Sequence, residues 1–261
     1  MSRGLGVLAL VAVVLVGGVV AVLGFRVSPQ PAASAPPSVK ALNADARRTL
    51  REEPQELARD SVTRAAEQMT LRVRNISCAG VATGSGFAID AHTIITNRHV
   101  LEGAAVLELN TWDGGSLDAD VNEASTGRLV DIGVTRVSAD LPAVAELGKD
   151  PEVGDRVTAV GYPLGGPLTL SAGRVVRYLD GRSLPGEIAF DAKVLELSTR
   201  IKHGNSGGPL LDRRGRVVGV IFAGQPGVTA EDFMRVAYAI PLSSVRQLTA
   251  LGGQQAVVPC A

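Results

Sequence analysis

The chain has 261 residues, 46% of them hydrophobic, and a formal net charge of zero. This length and hydrophobicity suffice for a substantial core, and the neutral charge gives no indication of nucleic-acid binding. The few histidines and cysteines show no clustered spacing of the kind that ligates a metal, so we expect neither a metal nor another cofactor.

The N-terminal residues 5–25 carry no charge and lie between Arg3 and Arg26. As a helix they span roughly 31 Å, about one bilayer hydrocarbon core. The apolar stretch of a secretory signal is only about 7–15 residues long. We therefore expect residues 1–26 to form a single-pass anchor in the cell membrane. A cleaved signal peptide is the alternative, since the Ala-Ser-Ala sequence at 33–35 would serve as a cleavage site.

A polar linker and a helical segment follow the anchor. Residues 27–38 are rich in proline, alanine and serine and predict an unfolded spacer. Residues 39–69 are rich in alanine, leucine, arginine and glutamate and predict helix, which Pro54 divides into two short pieces.

Residues 70–261 have the pattern of one all-β domain. Ten short β-rich segments are separated by turn residues, a spacing that predicts a barrel or sandwich. The expected strands are residues 71–75, 86–89, 93–96, 106–111, 129–137, 157–161, 168–178, 194–198, 217–222 and 236–240. A helix over residues 242–251 is expected to close the domain.

Two cysteines, Cys78 and Cys260, stand near the two ends of this domain. An even pair in this arrangement suggests a disulfide bond, which requires an oxidising compartment. We therefore expect the domain to lie outside the cytoplasm, on the periplasmic side. Two unpaired buried thiols are the alternative.

Three polar residues occur in contexts suited to nucleophilic catalysis. His99, in the motif TNRHV, follows a predicted strand and can accept a proton as a neutral imidazole. Asp131 is flanked by apolar residues, where a carboxylate is costly unless a donor such as the His99 N–H is bonded to it. Ser206 lies in GNSGGP, where glycines let the amides of Gly204 and Ser206 form an oxyanion hole. The order predicts a triad in which Ser206 attacks, His99 shuttles the proton and Asp131 orients His99.

Each residue alone has an ordinary structural explanation. His99 fits a core histidine, Asp131 an exposed aspartate on a half-buried strand, and the glycine-rich string a simple loop. The string also satisfies G-x-S-x-G, the nucleophile elbow of α/β-hydrolases. That fold places its histidine after the serine, and no histidine follows Ser206, so the chain order excludes it.

The three motifs, their order and the β-rich body resemble the trypsin-like (chymotrypsin-fold) serine proteases, in the HtrA/Deg-like branch. Supporting motifs are TGSGF at 83–87, GYPLG at 161–165 and GRVVGV at 215–220. The resemblance implies two six-stranded β-barrels, over residues 70–145 and 150–250, with the active site between them. It also implies hydrolysis of polypeptide substrates through an acyl-enzyme.

The resemblance further implies a substrate pocket. Arg200, Ile201 and His203 would form its wall or floor, and the strand that pairs with the substrate backbone would contain Ile221, Phe222, Ala223 and Gly224. Arg200 at the floor would favour an acidic substrate residue. We favour an outward Arg200 and a small apolar pocket, because long cationic side chains keep their charged heads in water.

The anchor and the two cysteines resemble the MarP-type membrane-bound periplasmic proteases linked to acid resistance, although those carry several transmembrane helices and one is expected here. The sequence ends at Ala261, too soon for a PDZ domain, so PDZ-driven activation is not expected. The expected function is a membrane-anchored extracytoplasmic serine endopeptidase in stress response or protein quality control. The alternatives are a non-catalytic protease-fold module that binds peptides or partners, and a protease that is latent until a signal reorders its loops.

Overall fold

The computed structural model describes residues 61–127, 130–184, 192–225 and 236–250. The expected anchor, the linker, most of the helical segment and Cys260 lie outside these residues, so the Cys78–Cys260 disulfide stays a prediction. No helix among the described residues has the length and apolar character needed to cross a membrane.

The first half of the domain is one antiparallel sheet of seven strands, in the order β5-β4-β1-β2-β3-β7-β6. Its elements are α1 (Ser61–Met69), β1 (Thr70–Ser77), β2 (Gly80–Ala88), β3 (Thr93–Thr96), α2 (Arg98–Leu101), β4 (Ala104–Asn110), β5 (Ser116–Ala119), β6 (Ser125–Thr126) and β7 (Gly133–Arg136). Apolar residues alternate along β1 and β4, and Leu71, Val73, Leu107 and Leu109 are buried together.

This half corrects the expected closed six-stranded barrel: it is a half-barrel. In the described part of the chain, the end strand β5 is joined to the segment after β7 by a single bridge, between Ala119 and Val137. The chain leaves β5 at Ala119 and enters a 3₁₀ turn at Val121–Glu123, so the strand does not continue along this segment.

The second half is a closed six-stranded barrel, as expected, in the order β10-β13-β12-β11-β8-β9. Its elements are β8 (Arg156–Gly161), β9 (Thr169–Asp180), β10 (Lys193–Leu197), β11 (Pro209–Leu211), β12 (Val217–Gln225), β13 (Val236–Pro241) and α3 (Leu242–Ala250). The helix α3 confirms the predicted C-terminal helix in the described part of the chain.

A shared hydrophobic cluster joins the two halves. Phe87 and Ile95 from the first sheet pack in the same cluster as Val160 and Val220 of the barrel and Met69 of α1. Burial of large apolar side chains stabilises a protein by about 1.5–3 kcal/mol each. Apolar packing therefore supplies energy that holds the two halves together.

The turn between β2 and β3 is organised by Asp90. Its carboxylate accepts hydrogen bonds from the backbone N–H groups of His92 at 2.9 Å and Thr93 at 2.8 Å. The bond from His92 is the main cause that holds the pKa of Asp90 below its ordinary value. The charged form of Asp90 therefore stabilises the folded state.

We expect Asp90→Ala to lower the free energy of unfolding by about 1 kcal/mol at pH 7, because two backbone donors lose their acceptor. A carboxyl whose pKa is lowered on folding contributes above its unfolded pKa of about 3.9, and this contribution is lost as pH falls through the folded value. Denaturant unfolding of both proteins between pH 7 and pH 2 should show the difference shrinking in acid.

Asp118→Ala is the matched control, since Asp118 is exposed on β5. A difference for Asp90→Ala that stays constant with pH would show that its charge does not contribute.

Candidate active site

His99 lies in the one-turn helix α2, directly after β3, as the sequence predicts. The residue between them, Asn97, is fully buried, and its side-chain amide donates to the backbone carbonyl of Asp131 at 2.7 Å. The side chain of His99 is 46% exposed. The buried Asn97 amide therefore links the start of α2 to the segment that contains Asp131, while the side chain of His99 stays accessible.

Asp131 is not on a strand, which corrects the expected strand over 129–137, and it is buried, which excludes the alternative of an exposed aspartate. The predicted strand over 129–137 begins only at Gly133, because the N–H of Ile132 donates to the carbonyl of Val130 at 2.8 Å and turns the chain before β7. Val130 and Ile132 belong to this turn and are both buried, so the sequence around Asp131 is as apolar as that of a buried strand. Asp131 is 7% exposed.

Asp131 holds His99 at two points. One carboxylate oxygen accepts the backbone N–H of His99 at 3.0 Å, and the other lies 2.6 Å from its Nδ1. A carboxylate only accepts, so Nδ1 carries the proton and donates it. The lone pair is then on Nε2, on the opposite side of the ring, where it can act as a base.

The loop that carries Ser206 packs against the first sheet. Gly207 has a φ of 85°, and a Cβ there would lie 2.1 Å from the carbonyl oxygen of Ser85 and 3.0 Å from the backbone nitrogen of Asn97. Only glycine permits both this conformation and this approach. The segment that contains Ser206, from the second half, therefore contacts the segment that leads to His99, from the first half.

The Ser206 hydroxyl donates to the backbone carbonyl of Phe222 at 3.3 Å. Within the described part of the chain, no hydrogen bond joins it to His99. Catalytic hydrogen bonds are often open in proteins without substrate and tighten when substrate binds.

Two backbone carbonyls beside Ser206 are each fixed by a hydrogen bond. The carbonyl of His203 accepts the N–H of Leu164 at 2.6 Å, and that of Gly204 accepts the Ser85 hydroxyl at 2.6 Å. In a trans peptide the N–H points opposite to the carbonyl, so the N–H of Gly204 points away from Leu164.

No described residue accepts a hydrogen bond from the amides of Gly204 and Ser206. Gly204 is buried, and buried amides without a partner are rare. The two amides can therefore stabilise a negatively charged oxygen beside Ser206.

The expected pocket residues belong to the loop before Ser206 and to strand β12. In the loop, Ile201 is buried, whereas Arg200 and His203 are exposed. Ile221 and Phe222 are buried in β12, and the backbone of the following residues, Ala223 and Gly224, pairs with β13.

On the edge opposite β13, strand β12 extends beyond its partner β11. Its pairing with β11 ends at Val220, opposite Pro209. Among the described residues no strand pairs with this edge at positions 222–224. A free strand edge can add an extended peptide through backbone hydrogen bonds.

Sequence reasoning did not identify the roles of Ser85, Asn97, Tyr162 and Leu164. The available signal is the pair of glycines on either side of Ser85, because glycine within a strand often marks a close approach of another backbone.

The family model described as "Trypsin-like peptidase domain" matches residues 84–220, more than half of the chain. The chain belongs to the trypsin-like peptidase family. Several of the matched relatives are named serine proteases of the HtrA or DegP type. They do not distinguish the MarP-type proteases from the rest of that branch.

Two curated relatives show the extent of the trypsin-like similarity. A probable periplasmic DegP-like serine endoprotease of Hahella chejuensis is 37% identical over 166 residues, which are 62% of this chain and 33% of that protein. The Do-like serine protease HtrA of Bacillus subtilis is 33% identical over 163 residues, 59% of this chain and 35% of that protein. The chain thus spans about a third of the length of these relatives.

Among solved structures, an inactive form of Rv3671c from M. tuberculosis H37Rv has a similar fold. Its TM-score is 0.61 at 25% sequence identity, with 73% of this chain and 89% of that chain covered.

We expect Gly204→Ala to lower the rate of peptide hydrolysis by about 100-fold, because misplacing one oxyanion donor costs this much. A Cβ at this position would lie 2.3 Å from the carbonyl oxygen of Tyr162 and 2.9 Å from the nitrogen of Leu164, so the loop must shift. Steady-state hydrolysis of a peptide substrate measures the loss.

Gly154→Ala is the control, since Gly154 has a φ of 91° and nothing within 4 Å of an added Cβ. It carries the backbone strain without the collision and should keep the wild-type rate. Equal losses in the two variants would attribute the effect to general destabilisation.

Proposed function

We propose that this chain is a serine endopeptidase that cuts polypeptides through His99, Asp131 and Ser206. The observation that carries the proposal is the pairing of the buried Asp131 with His99, beside a serine whose neighbouring amides have no partner in the described structure. The trypsin-like family and the HtrA/DegP-type relatives support the same reaction.

In the proposed mechanism, the Ser206 hydroxyl first rotates from the carbonyl of Phe222 towards Nε2 of His99. The bond that it gives up is long, at 3.3 Å, so this rotation between staggered positions costs little. His99 takes the proton as the serine oxygen attacks the substrate carbonyl, and Asp131 stabilises the imidazolium that forms.

The negative charge on the substrate oxygen is stabilised by the amides of Gly204 and Ser206. His99 then gives its proton to the leaving amine, which leaves an ester between Ser206 and the acyl part of the substrate. A water molecule, deprotonated by His99 in the same way, hydrolyses this acyl-enzyme.

We also propose that the protease domain acts outside the cytoplasm, anchored by one helix over residues 5–25. The relative from Hahella chejuensis is named periplasmic, and Cys78 lies in the exposed turn between β1 and β2, where a disulfide partner can reach it. A role in stress response or protein quality control, and the MarP-type assignment, are part of this proposal.

A fluorophosphonate probe should label the wild-type protein, and Ser206→Ala should abolish the labelling, because this probe reacts with an activated serine. Ser183→Ala is the control, since the Ser183 hydroxyl is exposed and bonded to the carbonyl of Asp180.

Asp131→Asn should lower kcat for peptide cleavage by about 10⁴-fold, because the imidazole then adopts the wrong tautomer.

The labelling experiment separates the alternatives. Absence of labelling at every pH and redox state, with retained peptide binding, would identify a binding module. Labelling only after a change of pH, redox state or substrate would identify a latent protease.

Cleavage of a peptide library should show a preference for small apolar residues on the N-terminal side of the cut bond. Ile201 is buried and Arg200 is exposed, so the pocket should present apolar surface. Arg200→Ala should leave the preference unchanged, as should Arg182→Ala, which removes an exposed arginine elsewhere. A preference for acidic residues that disappears only in Arg200→Ala would place the guanidinium in the pocket.

A further inference from the structure

Ser85, on β2, has no exposed surface and bonds to three other segments. Its hydroxyl donates to the carbonyl of Gly204 at 2.6 Å and accepts the N–H of Tyr162 at 2.9 Å. Its backbone N–H donates to the carbonyl of Ser206 at 2.7 Å, and its own carbonyl accepts the hydroxyl of Thr96 at 2.6 Å. Ser85 is thus bonded to two backbone carbonyls of the Ser206 loop, those of Gly204 and Ser206.

These bonds act on Gly204, whose amide is one of the two proposed to stabilise the substrate oxygen. Gly204 has a φ of 94° and no side chain, so its own covalent structure restricts its rotation weakly. Its carbonyl is fixed by Ser85, and the preceding carbonyl, of His203, is fixed by the N–H of Leu164. With both flanking peptide groups fixed, the direction of the Gly204 N–H is fixed as well.

The Ser85 hydroxyl also controls the second of these bonds. It accepts the N–H of Tyr162, two residues before Leu164, in the turn that supplies the Leu164 donor. Arg72 of β1 supports the same turn, because its guanidinium donates to the carbonyl of Gly165 at 2.7 Å and lies over the Tyr162 ring at 5.6 Å. The first sheet therefore positions the turn, and the turn positions the carbonyl of His203.

We propose that Ser85 is a positioning residue that aims the Gly204 amide at the oxyanion of the substrate; this inference rests on the proposed peptidase function. Without the hydroxyl, the buried Gly204 carbonyl and Tyr162 N–H lose their partners. Gly204 can then rotate towards another acceptor or donor, and its N–H leaves the position that the oxyanion requires.

The test is Ser85→Ala, measured against a peptide substrate and a peptide boronic acid. The boronate forms a tetrahedral adduct with the catalytic serine, and one of its oxygens occupies the oxyanion position. We expect kcat to fall by about tenfold to 100-fold and the boronate to bind more weakly by a similar factor, because small misplacements of catalytic groups cost this much. KM should stay within about twofold of wild type, since an interaction made only in the transition state is lost.

Two further variants separate positioning from folding. Ser85→Cys keeps a weak donor of similar size and should retain an intermediate kcat. Thr135→Val is the matched control, because Thr135 is fully buried on β7 and its hydroxyl has no partner within the described structure. It should keep the wild-type kcat and boronate affinity. If Ser85→Ala does not fold, the comparison of Ser85→Cys with Thr135→Val decides.

A Ser85→Ala protein with a lower unfolding midpoint but unchanged kcat and boronate affinity would overturn the inference and leave the peptidase function intact. Equal weakening of substrate and boronate would also overturn it, since a general structural role predicts that result. A wild-type protein that neither reacts with a fluorophosphonate nor cleaves peptides would overturn the proposed function, and the inference with it.

Discussion

The contact between the Ser206 loop and strand β2 holds the two halves of the domain in one geometry. The loop approaches so closely that a Cβ on Gly207 would lie 2.1 Å from the carbonyl oxygen of Ser85. The backbones are also hydrogen-bonded there, from the N–H of Ser85 to the carbonyl of Ser206. Small residues are needed on both sides of this contact, and the motifs TGSGF at 83–87 and GNSGGP at 204–209 supply them.

The pairing of His99 with Asp131 depends on a different constraint, the register of the first sheet. Strands β3 and β7 are antiparallel, with Thr96 opposite Gly133. The residues that follow β3 and those that precede β7 therefore meet at the same end of the sheet. The buried amide of Asn97 adds a bond to the Asp131 carbonyl and fixes the turn. The proposed base and the carboxylate that would orient it thus both lie in the first half of the domain.

Ser206 belongs to the other half, so its position relative to His99 depends on the interface. The shared apolar cluster supplies the energy of association, but apolar packing is not directional. The hydrogen bonds around Ser85 supply direction at the point where the loop meets the sheet. This division explains why buried polar side chains such as Ser85 and Thr96 lie where the loop meets the sheet.

The sequence failed where local pattern and tertiary environment diverge. The apolar residues around Asp131 resemble a strand because Val130 and Ile132 are buried, yet they are buried from a turn. Strands β5, β6 and β11 have only two to four residues, too few for a recognisable period. Closure of a barrel is a property of strand edges, which no local pattern specifies, so the open first sheet was also missed.

By itself the sequence determined the β-rich domain, its C-terminal helix, and the glycine and histidine motifs, because these depend on local composition and on the order of residues along the chain. The tertiary structure decided the orientation of the Gly204 amide and the role of the Ser85 hydroxyl. Both depend on segments more than forty residues apart, Ser85, Tyr162 and Gly204, which meet only when the two halves pack together.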